Sequence, residues 1–183
     1  MKPKQKNIFT GVKQKRKIAK EILTECHSIT TENLLEFNFV TDKKLHTKII
    51  TAYREATFVN SLTKVLYINR SDSYPLNEIQ IINYASICEA ILGYIFKTNT
   101  TLAQLNPKDK LGKLVEMNII TTELDKEIRS LWEVRNNVHL HKAKTTNEKF
   151  FKKHLTNLNS IIIEFCNSIQ KFLNENSQTT VIN

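Results

Sequence analysis

From Asp42 onward, Leu45, Ile49, Ala52, Ala56, Val59, Leu62 and Leu66 recur at three- and four-residue spacing. That period gathers them on one side of a 3.6-residue helix, so an amphipathic helix is predicted over about 42–68. The turn Arg70-Ser-Asp-Ser-Tyr-Pro75 separates it from a segment of different character. Over about 76–97, Ile79, Ile82, Ile87, Cys88, Ile91, Leu92, Ile95 and Phe96 spread around much of the circumference. Pro75 suits the opening of such a helix. A helix apolar on so many sides belongs at the centre of a bundle or in a dimer interface. Gly93 inside it costs roughly 1 kcal/mol of helix propensity against Ala, and close approach of a neighbouring helix would account for it.

The flanking segments follow the same rhythm. Residues 12–28 can form a helix with Ile18, Ile22, Leu23 and Cys26 on one face, whereas Leu34 to Val40 fits a short helix or an irregular lead-in equally. Thr98 to Asp109, broken by Asn106-Pro107, reads as the longest loop. A short helix with Leu111, Leu114, Val115 and Met117 comes next. Thr122 is predicted to start the following helix, with Asp125 completing a capping box, and Leu124, Ile128, Leu131, Trp132, Val134 and Val138 form its apolar side. A second box, Thr145 with Glu148, is predicted to open a last helix through Phe151, Leu155, Leu158, Ile162, Phe165, Ile169 and Leu173 to about Asn174, with a frayed tail to Asn183. No internal repeat or sustained heptad array is present.

Composition sharpens the fold class. In 183 residues there are three Gly and three Pro, too few for the turns of sandwiches, barrels or dinucleotide-binding folds. The expectation is an all-α, antiparallel helical bundle: one domain over residues 21–183, core about 45–174, preceded by a basic arm over 1–20. That arm holds eight Lys and Arg and no acid, so the formal charge of +9 leaves only +1 for the rest. Lys13, Lys15, Arg16 and Lys17 are therefore candidate nucleic-acid contacts, and a solubilising terminus is the competing reading. Cys26, Cys88 and Cys166 stand far apart without a CxxC, which supports neither a zinc site nor a disulfide framework. No signal-peptide core follows the basic start, and no apolar run reaches membrane-spanning length. A cytoplasmic protein with no membrane partner is expected.

Candidate chemistry concentrates in Leu131-Trp-Glu-Val-Arg-Asn-Asn-Val-His-Leu-His141. Arg135 can grip a phosphate through its fork of donors, and His139 or His141 can exchange protons near neutral pH. Asn136 adds a neutral donor and acceptor. Together these are the parts needed to cleave RNA without a metal. Cations that merely complement a helix C-terminus would look the same by spacing alone. Glu89 shares a helical face with Ala85, Leu92 and Phe96, where an unpaired charge is costly. It fits a partner orienting Arg135 or tuning a histidine, or else a rim residue or a structural salt bridge. His27, His46 and His154 are solitary. Trp132 fits the core or a dimer contact, with base stacking as the alternative. No P-loop, Gly-rich dinucleotide loop, HExxH or nucleophile elbow occurs, so no cofactor or metal is expected.

The order of segments adds information. Ala85-Ser-Ile-Cys-Glu-Ala-Ile-Leu92 is followed by Leu111-Gly-Lys-Leu-Val-Glu116, by Ile119-Ile-Thr-Thr-Glu-Leu124, and finally by Leu131 to His141. This succession, over about Leu45 to Asn174, resembles HEPN domains, helical bundles with an Arg-polar…His motif late in the chain. The resemblance implies a homodimer whose paired motifs meet at one cleft. It further implies metal-independent endoribonuclease activity on RNA in a toxin–antitoxin or phage-defence setting, with a protein antitoxin as partner. Other members are non-catalytic modules that bind RNA or protein. Arg135 and Asn136 match the start of the motif, and His141 has the family spacing while His139 does not. Helix geometry pulls the other way: His139 lies about 40° from Arg135 around a helix and His141 about 240°. Both histidines stay candidates.

Overall fold

A computed structural model describes residues 14–26, 35–66, 74–97, 100–139 and 158–179. Among them there are helices and connecting turns but no strand. In chain order the helices are α1 (residues 14–26), α2 (Lys43–Val65), α3 (Tyr74–Ile95), α4 (Thr100–Ala103), α5 (Pro107–Glu116), α6 (Thr122–His139) and α7 (Leu158–Thr179).

Helix α3 packs against α2, α5, α6 and α7, as its all-round apolar surface requires. Tyr84, Ala85, Cys88, Ile91 and Leu92 are all fully buried. Contacts along α2 and the lead-in just before it pair Thr41 with Tyr94, Tyr53 with Tyr84 and Glu55 with Asn83. Residue numbers therefore fall along α3 as they rise along α2. Phe37, Tyr53 and Tyr84 form an aromatic cluster, with the Phe37 and Tyr53 rings edge-on at 5.5 Å. Both tyrosine hydroxyls donate to Asn159 Oδ1, at 2.9 and 3.3 Å, which ties the start of α7 to α2 and α3.

The ends of the helices show why they start and stop where they do. Asp42 Oδ1 accepts from the backbone N–H groups of Lys44 and Leu45 and caps α2. Asn106 caps α5 by accepting from Asp109 N–H, with Pro107 at the first helical position. Asn118, at φ 56°, closes α5: its N–H donates to Val115 O and that of Ile119 to Leu114 O, the paired bonds of a Schellman ending.

Of the two readings open for the segment before α2, the irregular lead-in is the one found, and it buries Phe37, Phe39 and Val40 in the core. Several other expectations need correction. The stretch 98–109 holds the four-residue helix α4 instead of being loop throughout. The cap of α6 is Thr121, whose hydroxyl accepts from Leu124 N–H, and the Asp125 carboxylate turns to Arg129 instead of closing a box. Thr145 and Glu148 lie outside the described residues. Helix α7 runs to Thr179, five residues past the expected end at Asn174. On α1 only Cys26 is buried, while Ile18 and Leu23 are about half exposed, at 48% and 53%. Gly93 permits no close helix approach: a Cβ built there meets nothing within 4 Å.

The cysteines lie in the core. All three are buried and none forms a disulfide. Burial pushes the Cys88 and Cys166 thiols far up, so neither supplies a thiolate near neutral pH.

Two measurements check this description. Gly93→Ala keeps open space around the new methyl and removes a helix-interior glycine, so chemical denaturation should show a gain of about 0.5–1 kcal/mol. The backbone bonds at the α2 cap hold the Asp42 carboxyl below its ordinary value, assisted by Lys97 and Lys44. Its contribution is thus present above the unfolded pKa and lost as pH falls through the lower folded one. The difference in Tm between wild type and Asp42→Ala should be constant near neutrality and shrink in acid as that carboxyl protonates.

Candidate functional site

The site is built where α6 crosses α3. Trp132, 2% exposed, sends its indole N–H to Ala85 O at 3.3 Å. It is a core residue, which settles the choice against base stacking. One turn further along both helices, Arg135 Nη1 meets Glu89 Oε1 at 2.7 Å. The apolar surroundings of Glu89 had required a partner, and Arg135 is that partner.

The pair lies at the edge of the core: the Arg135 side chain is 19% exposed and that of Glu89 32%. A pair so placed is worth on the order of 1 kcal/mol, because solvent still screens it. Its larger effect is geometric. The carboxylate holds a long side chain in one orientation and leaves other guanidinium N–H groups available. Asn136 is exposed, with its Oδ1 3.4 Å from Arg135 Nη2, at the long limit of a hydrogen bond.

Helix α6 continues to His139, so the backbone of His139 stands one turn beyond Arg135 on the same side. His141 lies outside the described residues. The sequence-based candidates therefore divide: Arg135, Asn136 and Glu89 come together, and His139 follows on the same helix.

Of the arm residues, Lys15, Arg16 and Lys17 are exposed on α1, and Lys17 approaches Glu21 at 3.9 Å. Lys13 is outside the described residues. The net charge of +1 beyond the arm conceals a further feature. Helix α2 carries Lys43, Lys44, Lys48, Arg54 and Lys64 against Glu55 alone, a balance that a helix-by-helix count would have exposed.

Among the described residues, no group of three or more His, Cys, Asp or Glu could hold a metal ion. No helix among them is long and apolar enough to cross a membrane. No family model, curated protein or solved structure matches the chain.

Proposed function

We propose that this chain is an HEPN-like antiparallel bundle acting as a homodimeric, metal-independent endoribonuclease. The observation that carries the reading is the Glu89–Arg135 pair, which holds a guanidinium at a partly open helix crossing one turn before His139. Arg135 binds the scissile phosphate and Asn136 positions it. The ribose 2′-oxygen attacks phosphorus, forming the 2′-O–P bond as the bond to the 5′-oxygen breaks. His139 or His141 takes the 2′ proton, a proton is delivered to the leaving 5′-oxygen by the matching histidine of the second copy, and Arg135 stabilises the charge that builds on the phosphoryl oxygens. In the homodimer the second copy brings its own Arg135 and histidines to the same cleft. The arm residues Lys13, Lys15, Arg16 and Lys17 add phosphate contacts. The setting is a cytoplasmic toxin–antitoxin or phage-defence system with a protein antitoxin as partner.

A second reading rests on the same pair. A carboxylate 2.7 Å from the guanidinium competes with any incoming phosphate. That suits a structural contact in a non-catalytic module that binds RNA or protein.

Incubation of the purified chain with diverse RNAs in EDTA separates the two. Cleavage is expected, with Arg135→Ala slowing it by about a hundredfold or more, the scale for losing one charge-stabilising donor. Replacing the operative histidine with Ala should cost roughly 100- to 10,000-fold, and replacing the other should cost little. Glu89→Gln should slow cleavage if the carboxylate orients Arg135. Inert wild-type protein, or an Arg135→Ala variant as fast as wild type, overturns the ribonuclease reading.

A further inference from the structure

The charge on α2 has no structural explanation. Lys43 and Lys44 occupy the first turn, Lys48 follows, and no acidic residue stands in that turn. Cations there oppose the helix macrodipole, so the arrangement lowers helix stability instead of raising it. None of Lys43, Lys44, Lys48 or Arg54 forms an ion pair among the described residues, whereas Arg129 and Arg135 are both held by carboxylates. All four are exposed. Local choices that work against the fold mark places where something other than folding is being served.

Geometry collects this charge into a line. Lys44, Lys48, Thr51 and Glu55 are spaced i, i+4, i+7 and i+11 and so form one stripe along α2. Glu55 accepts from Asn83 of α3 at 3.4 Å, which fixes the side of α2 on which the stripe lies. At its other end the turn after α3 adds Lys97, which with Lys44 acts on the Asp42 carboxylate. Asp42 offsets part of that charge, but its oxygen is engaged in capping α2.

We propose that Lys44, Lys48 and Lys97, extended by Arg54, form a surface that binds the phosphodiester backbone of RNA. From Lys44 to Arg54 the helix rises about 15 Å. A strand carrying one charge per roughly 3.4 Å presents about four or five phosphates over that length. The four cations are exposed and strung along the helix without enclosing a site, so they suit a linear polyanion better than a compact anion that needs enclosing. It works whether or not Arg135 is catalytic. The choice of RNA over DNA rests on the ribonuclease reading.

The test is binding of the full-length chain to a fluorescent single-stranded 2′-O-methyl RNA of about twelve nucleotides, a length within the usual range for one binding surface. This probe has no free 2′-hydroxyl and is not consumed by the proposed cleavage. Single-strand contacts contribute about 0.7 each to the slope of log affinity against log salt. The triple variant Lys44→Gln, Lys48→Gln, Lys97→Gln should therefore lower the slope by about two and the affinity roughly a hundredfold at about 0.1 M salt. The triple Lys→Arg variant should bind like wild type. Lys108→Gln, Lys126→Gln, Lys171→Gln removes the same charge elsewhere and should change affinity less than about threefold.

Three results overturn the inference: wild-type affinity in the ridge variant, equal loss in the control, or tighter binding of the matching DNA. A chain that binds the probe through the ridge yet leaves RNA intact in EDTA sustains this inference while the ribonuclease reading fails.

Discussion

Helix α3 has to bury most of its circumference, and only the side carrying Ile79, Ser86 and Gly93 is open. Its other apolar residues point in too many directions for one partner helix to cover them, so α2, α5, α6 and α7 all pack on it. The cover also has to satisfy polar atoms. The Trp132 indole N–H reaches Ala85 O, and the hydroxyls of Tyr53 and Tyr84 share Asn159. Those bonds fix how α6 and α7 sit against the central helix, because sliding either would strand a buried donor.

The candidate site follows from that constraint. Once Trp132 is seated on Ala85, the next turn of each helix brings Arg135 to Glu89. A core contact thus sets the position of a charged pair at the surface, and the pair inherits the rigidity of the core. The same reasoning separates Arg135 from the lysines of α2. Arg135 is partly buried and held in one orientation by the Glu89 carboxylate. The α2 cations are exposed and unpaired among the described residues, which suits screened, additive attraction along a polyanion.

Much of this was legible in the sequence. The period of Leu45, Ile49, Ala52, Ala56 and Val59 gives α2, and the apolar crowding from Ile79 to Phe96 identifies the central helix. Glu89 stood out because an unpaired carboxylate among Ala85, Leu92 and Phe96 needs a counter-ion, and Arg135 supplies it. What escaped depended on detail that periodicity does not carry. Thr121 and Thr122 are chemically equivalent caps, and only the tertiary placement of Arg129 draws Asp125 away from the box. Gly93 looked like a point of close approach, yet its side of α3 faces open space. The irregular 35–42 segment enters the core through Phe37, whose edge-on contact with Tyr53 sixteen residues on is invisible to local pattern. The α2 charge is legible in the sequence too, but acids on the other segments cancel it in the net +1 of the chain beyond residue 20.

The central claim is that Arg135 and a histidine drive attack by the RNA's own 2′-hydroxyl. The most direct measurement is the end chemistry of the fragments the wild-type chain produces in EDTA. Fragments ending in a 2′,3′-cyclic phosphate, each paired with a 5′-hydroxyl, are the expected result. Fragments with 5′-phosphate and 3′-hydroxyl ends, or no fragments from any RNA, would contradict it.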